Sequence, residues 1–216
     1  MVAGLAGLAA GAACGAAPRL TELAPAEFWR LPQLQEVVDV AALDHAVLTA
    51  AIFHETNRHR EAAGLPALSH RRQLDEAADM QAAILALGLE LTHENPLPGR
   101  RTPGERVRWT GLRPQSVAEN LAITALLFPP VTGEVHVRVE NGRRVFSVEP
   151  GGAPLARDSY AGLARAVVEQ WMSSPAHRAN VLDPRAQYLG CAVRPCRTIS
   201  GMDAVCTVQV FFTPAR

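Results

Sequence analysis

The hydrophobic pattern divides the chain into helical stretches and two short β hairpins. Leu31–Val40 reads as a brief amphipathic piece. Leu43, Val47, Ala51 and His54 then share one face by three-and-four spacing, which predicts a long helix over Ala41–Ala63. Gly64-Leu65-Pro66 stops it. Arg72–Leu89 is a second helix with Leu74, Ala77, Ala78, Gln81, Leu85 and Gly88 as its stripe, and a loop rich in proline and glycine follows. Ser116–Phe128 is expected as a third helix, because Ser116-Val117-Ala118-Glu119 fits the S-x-x-E capping pattern. Ser159–Ser173 is a fourth, with Leu163, Ala166, Val167 and Gln170 on one face and Trp171 beside them.

Two regions alternate instead. Val135, Val137 and Val139, then Val145 and Ser147, flank Glu140-Asn141-Gly142, and Asn-Gly between alternating runs is a strong hairpin signal. Tyr188–Arg194 and Ala204–Thr213 form a second hairpin around Ser200-Gly201. Four helices and two hairpins imply an α+β arrangement in which helices cover a small antiparallel sheet.

Composition adds a compartment and removes a partner class. The 216 residues carry 21 basic and 21 acidic side chains, and every basic one is arginine. A balanced charge with no basic stripe argues against a nucleic-acid binder. Val2–Ala13 is an apolar run of small residues, of the length of a signal-peptide core and too short to span a bilayer. Ala12-Ala13-Cys14 has some likeness to a lipoprotein cleavage site, which makes Cys14 a candidate lipid anchor. Residues 1–30 are therefore assigned to an export leader or disordered N-terminus, and an extracellular, periplasmic or envelope location is expected. Cys191, Cys196 and Cys206 crowd the end of the chain, where one bridge can form and leave one thiol over.

Candidate chemistry gathers around Trp171–Asn180, WMSSPAHRAN. Ser174-Pro175 reads as an N-cap followed by proline at the first helical position, with His177 in the first turn. Before it come Asn57, Arg60, Gly64 and Leu65 as N-x-x-R-x-x-x-G-L, a lone His93, and Ala118-Glu119-Asn120. After it come Leu189-Gly190-Cys191-Ala192-Val193 and Gln209-Val210-Phe211. In this order the motifs resemble the CAP superfamily (cysteine-rich secretory, antigen 5 and pathogenesis-related 1 proteins), in its bacterial SCP-like extracellular branch.

That resemblance implies an α-β-α sandwich around a three-stranded antiparallel sheet, as a single domain over residues 31–216. The Asn-Gly hairpin, at about 129–157, is then a local insertion. It implies a cleft formed by His93, Glu119 and His177, with Ser174 where relatives carry a second glutamate. Glu169 does not replace that acid, since it lies about 140° around the helix from Ser174. Two histidines and a carboxylate suit a divalent metal, zinc above all. Ser174 has a sufficient role as a cap, and neither a nucleophile elbow nor an HExxH motif is present. The expected function is non-catalytic binding of a small lipid-like ligand or a protein partner. The alternative is a metal-dependent hydrolase acting on a peptide or envelope substrate. The resemblance also implies a Cys191–Cys206 disulfide, with Cys196–Cys206 as the other short closure.

Overall fold

A computed structural model describes residues 19–88, 90–128, 134–198 and 201–215. The apolar leader with Cys14, the start of the inserted segment at 129–133, and Ser200 lie outside the described residues. The helices are α1 (Pro25–Phe28), α2 (His45–Ala62), α3 (Arg72–Ala86), α4 (Pro103–Trp109), α5 (Tyr160–Ser173) and α6 (Pro175–Val181). The strands are β1 (Ser69–His70), β2 (Pro114–Ala125), β3 (Leu127–Phe128), β4 (His136–Glu140), β5 (Arg143–Ser147), β6 (Ala156–Arg157), β7 (Tyr188–Arg197) and β8 (Asp203–Pro214).

The main sheet runs β1-β7-β8-β2. β7 and β8 pair antiparallel from Tyr188↔Phe212 to Arg197↔Asp203, and β2 joins the other edge of β8 from Val117↔Phe212 to Ala125↔Ala204. Those are the three antiparallel strands expected; β1 adds a short parallel edge to β7. Beyond β1 the outer edge of β7 is closed by side chains. The Cys191 N–H donates to Asp75 Oδ1 at 2.9 Å, and a ring nitrogen of His45 lies 2.9 Å from the Val193 carbonyl. A capped edge offers no template for another strand.

The expectation of a helix at Ser116–Phe128 is wrong: this stretch is strand β2, with β3 continuing from Leu127. Period-2 alternation sends Val117, Leu121 and Ile123 to one side of the sheet and Ala118 and Ala122 to the other. Both sides are covered, so apolar residues occur in every register and the strand shows no polar alternation. Pairing with β8 along its length outweighs the helix preference of its alanines and leucine.

Helices α2 and α5 pack on one face and α3 and α4 on the other, each layer closing its own apolar cluster. Trp171 is fully buried in the first, with its indole N–H donating to the Leu121 carbonyl at 3.0 Å. Leu48, Ile52, Leu74 and Leu85 are likewise shut off from water, each contributing roughly 1.5–3 kcal/mol. On the second face α3 lies directly on β7, because a Cβ at Gly190 would run into the backbone of Leu74 and Asp75. Composition assigns residues 1–30 to an export leader or disordered N-terminus. From Leu20 the chain forms a short 3-10 turn and then α1, and Phe28 is wholly buried, stacked on His54 at 4.1 Å between ring centres. Residues 20–28 thus belong to the packed chain.

The Asn-Gly hairpin forms as β4 and β5, with φ of 51° at Asn141 and 75° at Gly142. Two consecutive positive φ values are what the tight turn with matching twist requires.

Candidate functional site

Strand β2 organises the site through two neighbouring residues that point to opposite faces. Glu119 faces α4. Its Oε1 lies 2.8 Å from His93 Nδ1, and its Oε2 accepts from Arg106 Nη2 at 2.6 Å. Asn120 faces α6, where its Nδ2 donates to the His177 carbonyl at 3.2 Å and its Oδ1 accepts from Asn180 Nδ2 at 2.9 Å. One residue therefore fixes the ring of His93 and the next fixes the backbone of His177. This is the physical content of the Ala-Glu-Asn motif.

The His93 loop is held at three successive carbonyls. Gln81 Nε2 donates to Thr92 O at 2.6 Å and to Glu94 O at 3.3 Å, and Arg106 Nη1 donates to His93 O at 3.2 Å. Arg106 also donates to the carbonyls of Arg100 and Arg101, at 3.1 Å each. A buried guanidinium thus ties the loop, β2 and the carboxylate together, with its charge balanced by Glu119. The Glu119 side chain is 1% exposed while that of His93 is 51% exposed, so a solvent-facing imidazole stands on a shielded carboxylate.

His177 sits in the first turn of α6, as the Ser-Pro break predicts. Burial holds its pKa below the ordinary histidine value, and the neighbouring charge of His93 lowers it further. The expected hydroxyl cap at Ser174 is not made. Ser174 ends α5 and begins α6 at once, so its backbone holds the break: its N–H donates to Trp171 O at 3.1 Å and its carbonyl accepts from Arg178 N at 2.8 Å.

The Asn-x-x-Arg motif of α2 supports this arrangement from below. Asn57 bonds the Leu68 backbone in both directions, at 2.8 and 3.1 Å, and buried Arg60 donates from Nη1 to Val181 O at 2.8 Å and Asp183 O at 2.9 Å, fixing the end of α6. Gln209 extends the polar seam across the sheet, donating to Thr56 Oγ1 at 2.7 Å.

Arg106 was missed in the sequence. Thr102-Pro103-Gly104-Glu105 is a capping box with both reciprocal bonds made, and it starts the short helix that carries Arg106. That signal lay inside a stretch read as loop.

The Cys191–Cys206 bridge does not fit. Cys191 lies opposite Gln209 and packs with the α2–α5 cluster, whereas Cys196 and Cys206 belong to the α3–α4 side. An odd separation along a strand places two side chains on opposite faces, so five residues put Cys191 and Cys196 on different sides. All three are free thiols. Burial pushes the Cys191 thiol well up, while Cys196 and Cys206 hydrogen-bond to each other, which holds the Cys196 proton more tightly than usual.

Glu169 lies away from the cleft. It meets α2, where the donor atoms of Glu55, His59 and Glu169 all fall within 4.8 Å of one another, a group that could hold a metal ion.

Residues 135–211 match the family model for the CAP, cysteine-rich secretory protein, family. No curated protein matches the chain. Among solved structures, an extracellular SCP-domain protein of Bacillus anthracis is 20% identical, with a TM-score of 0.50 over 78% of this chain and 41% of that one. This chain thus spans less than half the length of the Bacillus protein. An outer surface protein of Borrelia burgdorferi is 16% identical, with a TM-score of 0.50 over 84% of this chain and 99% of that one. At these identities the likeness is one of fold. Residues 135–211 thus match the CAP family in sequence, and the fold is similar to that of the bacterial SCP-domain protein.

Proposed function

We propose that this is an exported, non-catalytic CAP-domain protein whose cleft histidines, His93 and His177, hold a divalent metal that fixes a ligand or partner. The observation that carries the reading is the 2.8 Å contact between His93 Nδ1 and Glu119 Oε1. A carboxylate on Nδ1 selects the tautomer whose Nε2 lone pair is free, the arrangement in which metal-ligating histidines are usually held. Both Glu119 oxygens are engaged, one by His93 and one by Arg106, so Glu119 acts through His93 as a positioning group. Burial lowers the His177 pKa, which favours the neutral imidazole that a metal needs.

Two imidazole nitrogens are a partial donor set for zinc, whose open sites take three protein ligands, so the ligand or partner itself would complete the shell. A bound zinc would supply a Lewis-acidic position for a ligand oxygen. Export is supported by the apolar N-terminal run and by the descriptions of the two relatives as extracellular and outer-surface proteins. No helix among the described residues is long and apolar enough to cross a membrane.

Equilibrium dialysis against zinc tests the reading. The His93→Ala/His177→Ala double variant should bind one equivalent less than wild type while keeping its circular dichroism. Equal zinc content in the two folded proteins would refute it.

A further inference from the structure

We propose that Glu55, His59 and Glu169 form a second divalent-metal site, clamping α2 to α5 and sharing no residue with the cleft. Glu55 and His59 stand one turn apart on α2, and Glu169 reaches them from α5. His59 Nε2 lies 3.5 Å from Glu55 Oε1 and 3.6 Å from Glu169 Oε1. A tetrahedron with metal–ligand bonds of about 2.1 Å has edges of about 3.4 Å. Both measured edges agree with that geometry, and the third lies within 4.8 Å. The exposed Glu169 carboxylate can close the remaining gap by a side-chain rotation.

A cation already sits at this place. Arg58 Nη2 donates to Glu55 Oε1 at 2.5 Å and lies 3.3 Å from His59 Nε2, while its Nε donates to Oε2 at 2.9 Å. The Glu55 side chain is 3% exposed, so its carboxylate is partnered by a neighbour and not by water. The Arg58 side chain is half exposed and can swing into solvent, leaving two carboxylates and an imidazole facing one point. Nitrogen and oxygen donors from two helices, with one edge open to water, suit zinc or a similar first-row ion. Zinc here would cross-link α2 to α5, the helix that carries Trp171 and leads into α6.

The test uses the full chain carrying His93→Ala and His177→Ala, so that the cleft contributes nothing. Isothermal titration with zinc should find one equivalent, with a rise in melting temperature on loading. Glu169→Gln, an exposed substitution that leaves the fold alone, should weaken binding tenfold or more, and His59→Asn should abolish it. Arg58→Ala should tighten binding severalfold by removing the competing cation. Absence of zinc binding in the folded double variant would overturn the site, as would binding unchanged by Glu169→Gln and His59→Asn. Failure of the cleft instead shows as equal zinc content with and without the two cleft histidines, so the two sites are judged separately.

Discussion

Arg106 and Glu119 form an ion pair of 2.6 Å in which neither side chain is more than 1% exposed. Such a pair is weak as a source of net stability but expensive to break from one side, since the remaining charge has neither partner nor water. Arg106→Met should therefore cost about 3–5 kcal/mol in urea unfolding. Adding Glu119→Gln to that variant should restore part of the loss, because the orphaned charge is removed. Additive losses in the double variant would mean that the two residues act independently.

Cysteine pairing gives a second prediction. Cys196 lies opposite Ala204 and Cys206 opposite Arg194, so the two thiols are diagonal neighbours on the same face of the β7–β8 ladder. In oxidised protein the bridge should be Cys196–Cys206. Titration of free thiols under denaturing conditions should then lose one equivalent in Cys191→Ser and gain one in Cys196→Ser. A gain in Cys191→Ser would restore the Cys191–Cys206 pairing.

Asp158 provides a pH dependence. It is buried just before α5, and its Oδ1 accepts from the Ser159 N–H at 2.8 Å. Burial raises its carboxyl pKa above the ordinary aspartate value. The folded protein thus keeps this proton over a window in which the unfolded chain has lost it. Stability from this group is present below the unfolded pKa and declines as pH rises through the folded one. Asp158→Asn removes that loss, so the melting temperature of the variant should gain on wild type as pH is raised through this window. A difference independent of pH would contradict the assignment.

The parts legible in the sequence are those with one covered face or a local signal. The stripes of α3 and α5 and the Asn141-Gly142 turn each declare their period within a dozen residues, whereas α2 is buried at every position from Ala50 to Thr56 and β8 on both faces. The 140° offset of Glu169 from Ser174 likewise placed that side chain away from the cleft, where it meets His59. β2 was not legible. It is covered on both sides, and Ser116-Val117-Ala118-Glu119 imitates a helix cap, so only its long-range pairing with β8 reveals it as a strand. The candidate site followed the same division. His93, Glu119 and His177 stood out as motif residues, but the role of Glu119 depends on Arg106, which reaches it from a separate short helix. The cysteine assignment shows the converse: strand parity was readable from the spacing of Cys191 and Cys196 and rules out a shared face.

In the proposed site the metal is held by the two histidines while Glu119 stays behind His93. A crystal structure of zinc-loaded protein, with data collected across the zinc absorption edge, tests it most directly. The expected result is an anomalous peak bonded to His93 Nε2 and to His177, with the His93 Nδ1–Glu119 contact and the Arg106 ion pair intact. A peak bonded to Glu119 with Arg106 displaced, or no peak between His93 and His177 at saturating zinc, would contradict it.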